Sequence, residues 1–243
     1  MGQAVLLLAD GTEFWGESWG AVGETTGEVV FNTGMVGYQE ILTDPSYCGQ
    51  MVVLTYPLIG NYGIHYAENE ASRIHTSSLI IRDLHTSAGN WRAQRELEEF
   101  LLDQNIVGIR GIDTRKLVLH LRDRGAMKAI VSSIDFQIKS LRAKLESVPD
   151  MEGLDLVPRV SAHSVYQYDE AIDSDFIEFP DIAEADKVPC IAVYDYGIKW
   201  NILRYLRSIA RKVVVFPAKS PVADLMAVSP SGIFLSNGPG DPA

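Results

Sequence analysis

The chain has 243 residues, 47% of them hydrophobic, enough to bury one large core or two modest ones. It carries 32 Asp and Glu against 21 Lys and Arg, a net charge of −11, which opposes binding to phosphate backbones and anionic lipid, so neither nucleic acid nor a membrane surface is an expected partner. The apolar run Ala4–Leu8 is too short for a signal core or a bilayer span, and two Cys without a CxxC spacing point to neither a disulfide framework nor a zinc site, so a cytoplasmic setting is expected.

The first stretch, "QAVLLLADGTEFWGES", reads as two strands joined at Asp10-Gly11, a dipeptide that accepts the positive φ of a tight turn. The runs "GEVVFNTG", "QMVVLTYP" and "SSLIIRDL" are further short strands, rich in β-branched residues and bounded by Gly, Pro or Ser. In "AQRELEEFLLDQ", Leu97, Phe100, Leu101 and Gln104 recur at helical spacing. "DTRKLVLHLRDRG" predicts a second helix with Asp113 as N-cap, Leu117 and Leu121 on its apolar face and Gly125 at its C-terminal turn. Residues 1–150 therefore predict an α+β domain, closed off where Pro149 and Gly153 break the helical pattern.

Between Tyr168 and Lys187 eight Asp or Glu stand against one Lys, so −7 of the net charge falls in this stretch. It has no calcium-loop spacing, and residues 151–187 read as a solvated acidic connection between domains.

From residue 188 the pattern alternates. "CIAVYDY" is a strand apolar on both faces, and "IKWNILRYLRSIA" is a helix with Ile198, Ile202, Leu206 and Ile209 on one face. "KVVVF" is the next strand, "SPVADLMAV" a helix with Ser220 as N-cap and Pro221 at its first position, and "GIFLS" a third strand. Strand-helix-strand-helix-strand predicts parallel pairing with right-handed crossovers, the beginning of an open α/β domain over 188–243. Ligands in such folds bind beyond the carboxyl ends of the strands, and "NGPGDP" follows one directly. Without a Cβ, Gly238 and Gly240 can bring their N–H groups close to a developing negative charge, whereas Pro239 has no N–H. The plainer reading is a Gly-Pro loop between strand and helix. No dinucleotide fingerprint, Walker loop, HExxH or GxSxG occurs, and the five His and both Cys read as packing or surface residues.

The segment "FNTGMVGYQEILTDPSYCGQMVVLTYPLIGNYGI", residues 31–64, resembles the hallmark of the small, glutamine-hydrolysing chain of carbamoyl-phosphate synthase. "GIDTRKL", "VYDYGIKWNILR" and "GIFLSNGPGDPA" are similar to that family's later landmarks, in the same order. The resemblance implies a class I glutamine amidotransferase that hydrolyses L-glutamine through a Cys thioester, the Cys being activated by a His and a Glu. It also implies a large partner chain, holding ATP and Mg, that receives the ammonia and makes carbamoyl phosphate for pyrimidine and arginine synthesis. No cofactor is implied in this chain. Carried over by residue, the glutamine contacts fall on Ser46, Gly238 and Gly240, with Gly238 as an oxyanion-hole donor and Ser46 placing the pocket between the domains. The nucleophile's Gly-x-Cys-x-Gly turn and the His-x-Glu pair do not occur in residues 1–243, so catalytic residues are expected beyond Ala243 and this length alone is expected to be inactive. Two other readings stay open: a non-catalytic docking module of the same complex, and an α/β domain that binds phosphate at its glycine loop.

Overall fold

β1 (Gln3–Leu8) and β2 (Glu13–Gly20) form the expected hairpin, with Leu6 opposite Phe14 and Gly11 at φ 88° in the turn. The computed structural model describes residues 2–172 and 189–240, which divide into one unit ending at Leu154 and another spanning Asp155–Gly240. The first unit continues through β3 (Glu24–Asn32), α1 (Tyr38–Thr43), β4 (Gln50–Leu54), β5 (Leu58–Ile59), β6 (Ser78–Ile80) and β7 (Asp83–Leu84). α2 (Leu97–Asp103), β8 (Val107–Arg110), α3 (Thr114–Arg124), β9 (Met127–Ser132) and α4 (Ile138–Glu146) complete it.

Seven of these strands close into a barrel in the order β1-β2-β8-β6-β4-β3-β9, with β9 pairing back onto β1. β3, β4, β6 and β8 run parallel in succession, and the remaining pairs are antiparallel. Closure leaves none of the seven strands with an open edge. The sequence reading anticipated an α+β unit but not this closure.

The continuous "AVLLL" run has a direct cause. Ala4, Leu6 and Leu8 face the interior with Val29, Met51, Val53, Ile80, Ile109 and Val131, while Val5 and Leu7 face outward against Leu141 and Leu145 of α4. Both faces of β1 are thus buried, which abolishes the polar alternation of a half-exposed strand. α2 buries Leu97, Phe100 and Leu101 as its spacing predicts. α3 has the expected cap, the Lys116 amide donating to the Asp113 carboxylate at 2.9 Å, and it ends at Gly125 with φ 90°.

The second unit contains α5 (Val157–Val160), β10 (Tyr166–Tyr168), β11 (Cys190–Asp195), α6 (Trp200–Ile209), β12 (Lys212–Pro217), α7 (Val222–Ala227) and β13 (Gly232–Leu235). β11, β12 and β13 are mutually parallel as predicted, in the order β12-β11-β13. β10 adds an antiparallel strand outside β12, so residues 155–172, read from sequence as acidic connection, belong to this unit. The rest of that connection, 173–187, lies outside the described residues.

Two helix expectations are corrected. α6 buries Leu203, Arg204 and Ser208, leaves Ile202 and Leu206 half-buried, and exposes Ile209. Ile198 precedes the helix, so a face counted from it is rotated away from the one that meets the sheet, and Ile172 seals the other flank by donating its amide to Ser208 Oγ at 3.1 Å. Ser220 does not cap α7. Its amide donates to the Pro217 carbonyl at 3.0 Å, and Pro221 occupies the cap position.

At the carboxyl end of β11, the buried Asp195 carboxylate gathers three backbone amides. Oδ1 accepts from Gly197 at 2.8 Å and Ile198 at 2.9 Å, and Oδ2 accepts from Ala162 at 2.8 Å. Replacing Asp195 with Ala leaves three donors without their acceptor and is expected to lower the stability of the second unit by at least about 2 kcal/mol. Hydrogen exchange over 190–216 measures this, and unchanged protection would show that water substitutes for the carboxylate. In the barrel, a Cβ at Gly108 would lie within 2.8 Å of Trp19 Cδ1 and Cε2, because the indole lies across the glycine opposite it. Gly108→Ala should therefore cost about 1–3 kcal/mol in denaturant unfolding and blue-shift or broaden the Trp19 emission.

Candidate functional site at the carboxyl end of the parallel sheet

The loops that follow β11 and β13 are laced together. Past Leu235 the Ser236 amide donates to the Tyr194 carbonyl at 3.2 Å, a last ladder rung. The Tyr196 amide then donates to Ser236 Oγ at 2.9 Å, the Ser236 hydroxyl donates to the Asn237 carbonyl at 2.6 Å, and Asn237 Nδ2 donates to the Gly197 carbonyl at 3.3 Å. Gly238 packs so tightly that a Cβ there would overlap the Tyr196 carbonyl oxygen. Gly240 sits at φ 112°, a backbone geometry that L side chains rarely adopt.

Among the described residues, the N–H groups of Gly238 and Gly240 have no hydrogen-bond partner, and both glycines are exposed. Two donors on a constrained loop at the carboxyl end of a parallel sheet can meet the oxygen of a carbonyl or an oxyanion.

Ser46 lies in the first unit. Asp44, buried at the end of α1, accepts the Ser46 amide at 2.9 Å and so caps a single 3₁₀ turn, Pro45–Tyr47. The turn leaves Ser46 half-buried, directly ahead of β4. Nearby, burial, reinforced by the positive charge of Arg73 and opposed by Asp44, pushes the His75 imidazole down to about 4, so it is neutral at physiological pH. Ser46 and the two glycines thus occupy separate units, each held by its own hydrogen bonds.

Within the second unit, Cys190 is not placed for nucleophilic attack at the glycine loop. Cys48 is buried at the end of the 3₁₀ turn, and Cys190 begins β11, at the opposite end of the strand from Asp195 and about 16 Å along it at ~3.3 Å per residue. Among the described residues no group of three His, Cys, Asp or Glu is placed to hold a metal ion, and no helix is long and apolar enough to cross a membrane. Sequence reasoning missed Asp195, Tyr196 and Ser236. The signal was present: "CIAVYDY" and "GIFLS" are apolar strands that each close on a hydrogen-bonding side chain, at the strand end where this fold class places its ligands.

Two family models match the chain. Residues 6–131 match the model of the carbamoyl-phosphate synthase small chain, CPSase domain, and residues 192–243 match glutamine amidotransferase class-I. The carbamoyl phosphate synthase small chain of Syntrophotalea carbinolica is 50% identical over 240 residues, covering 99% of this chain and 64% of that protein. The small chain of a Synechococcus strain is 47% identical over 242 residues, covering 99% and 61%, and that of Aquifex aeolicus is 44% identical over 239 residues, covering 98% and 64%. The chain thus spans a little under two thirds of the length of these relatives. With one family model covering more than half of it and such relatives matching nearly all of it, the chain belongs to the carbamoyl-phosphate synthase small chain family.

Proposed function

We propose that these residues form the amino-terminal part of a glutaminase subunit that supplies ammonia to a carbamoyl phosphate synthase. The observation that carries this reading is the pair of amides at Gly238 and Gly240 without a partner among the described residues, on a loop that tolerates no Cβ at Gly238, in a chain of this family.

In the proposed reaction a Cys thiolate attacks the side-chain amide carbon of L-glutamine. The carbonyl oxygen becomes an oxyanion, which the Gly238 N–H stabilises, and the Gly240 N–H contacts the substrate. The intermediate collapses to a thioester as ammonia leaves, and water then releases glutamate and restores the thiol. Ser46 contributes a hydroxyl to the amino-acid head group, and its capped turn keeps that hydroxyl at a fixed place in the first unit. Because neither Cys48 nor Cys190 has a suitable setting, the nucleophile and its His and Glu are assigned to chain beyond Ala243. Residues 1–243 alone are then without glutaminase activity. The partner is a large chain that carries ATP and Mg and combines the ammonia with bicarbonate, in a cytoplasmic heterodimer.

Replacing Gly238 with Val in the complete small chain tests the reading. The new side chain collides with the Tyr196 carbonyl and turns the donor away, and loss of one oxyanion donor costs about 10²- to 10³-fold in turnover. Glutamine-dependent synthesis by the complex is expected to fall by that factor, while synthesis from added ammonia stays intact. Equal loss of both activities would make the loop a structural element, and no loss of either would remove it from the site.

A further inference from the structure

We infer that Ser236 is a positioning residue for the Gly238 donor, an inference that rests on reading the Gly238 N–H as part of the oxyanion hole. Asn237 and Gly238 share one peptide unit. Its carbonyl belongs to Asn237 and its N–H to Gly238, and in a planar trans peptide the two point in opposite directions. Whatever fixes the carbonyl therefore fixes the direction of the N–H.

The Ser236 hydroxyl donates to that carbonyl at 2.6 Å, at the short end of the range for O–H···O bonds. The hydroxyl is itself constrained, because Ser236 Oγ accepts the Tyr196 amide at 2.9 Å. With the oxygen lone pair engaged by one loop, the hydroxyl proton is directed at the other. The result is a directed chain: Tyr196 N–H to Ser236 Oγ, Ser236 O–H to the Asn237 carbonyl, and across the peptide to the Gly238 N–H. Each bond polarises the next, so an occupied carbonyl makes the amide on its far side a stronger donor. The same Tyr196 whose amide begins the chain abuts Gly238 with its carbonyl, so the donor's position and its direction are both referred to one residue.

A serine closing an exposed strand ordinarily contributes nothing beyond solubility. Here its hydroxyl makes both of its bonds to backbone groups of the two loops that border the candidate site, and it touches no charged side chain. Removing it takes away the hydroxyl bond that points the Asn237 carbonyl, and with that the constraint it places on the direction of the Gly238 N–H.

The test uses the complete small chain with three variants: Ser236→Ala, Ser236→Thr and Gly238→Val. Ser236→Ala should lower kcat for glutamate release about tenfold, less than outright loss of a donor, with KM within about twofold, because the bond matters when charge develops on the oxygen rather than when substrate binds. Ser236→Thr, which keeps the hydroxyl, should retain most of the activity. In ¹⁵N-labelled residues 1–243, Ser236→Ala should also move the Gly238 amide proton upfield, a readout that does not depend on turnover. An unmoved Gly238 resonance, a kcat that survives Ser236→Ala while Gly238→Val abolishes activity, a loss confined to KM, or a Thr variant as impaired as Ala would each overturn the positioning role. If Gly238→Val also leaves turnover intact, the glycine loop itself is not the oxyanion site and the inference falls with that reading.

Discussion

The second unit depends on one buried carboxylate. Asp195 ends β11, the strand flanked by β12 on one side and β13 on the other, because the chain crosses from β11 to β12 in one direction and then back past β11 to β13 in the other. That switch point opens a crevice in folds of this class. A backbone turning there would leave several amides without ladder partners. A carboxyl side chain suits them because its two oxygens can accept several bonds at once. Asp195 draws Gly197 and Ile198 into the turn and ties it to Ala162, and the Tyr196 carbonyl held between them becomes the wall against which Gly238 must pack. The geometry of the glycine loop is thus set forty residues upstream of it.

In the first unit an equivalent constraint comes from aromatic hydroxyls. Tyr62 Oη accepts the amides of Gly37 at 2.6 Å and Tyr38 at 3.0 Å, so it caps α1 in place of a local side chain. The two rings stack at 4.1 Å, and Tyr38 returns its hydroxyl to the Gly63 carbonyl at 2.6 Å. Burial pushes the Tyr62 hydroxyl up to about 12 and that of Tyr38 higher still, so both remain protonated across the physiological range. Gln39 completes the clasp through bonds to the His65 carbonyl and amide. Residues 37–39 and 62–65 therefore hold each other, so a change at either place loosens α1, and α1 leads directly into the Asp44-capped turn that carries Ser46.

What could be read from the sequence follows the range of the interactions involved. Asp113 and Gly125 were legible because a cap bond spans three residues and a C-terminal glycine answers to its own φ. The parallel strands were legible because burial on both faces writes a continuous apolar run. The barrel was not, since closure depends on β9 pairing with β1 across more than a hundred residues, and each strand reads the same in an open sheet. β10 escaped notice because "YQY" is short and lies beside the acidic tract, where local composition pointed to solvent. The face of α6 was misjudged by starting the count at Ile198, which the Asp195 turn keeps out of the helix. Gly238 and Gly240 stood out as glycines, but Ser236 did not, because what distinguishes it is a bond to a backbone atom one residue away and another to a loop forty residues back.

The two glycines of the loop are required for different reasons, and the difference bears on how the site can vary. Gly240 is constrained by its own backbone: at φ 112° almost any L residue is strained, whatever space surrounds it. Gly238 is constrained by a neighbour, since its Cβ position is already taken by the Tyr196 carbonyl. A residue limited by its own φ can be relieved only by changing the loop's conformation. One limited by a neighbour could in principle be relieved by moving the neighbour, but Tyr196 lies inside the turn that Asp195 fixes with three bonds, and its amide is committed to Ser236. Neither route is open without dismantling the hydrogen bonds that hold the two loops together. The glycine at 238 is accordingly the consequence of a turn fixed by a carboxylate and a hydroxyl that lie outside the loop, whereas the glycine at 240 answers to its own backbone.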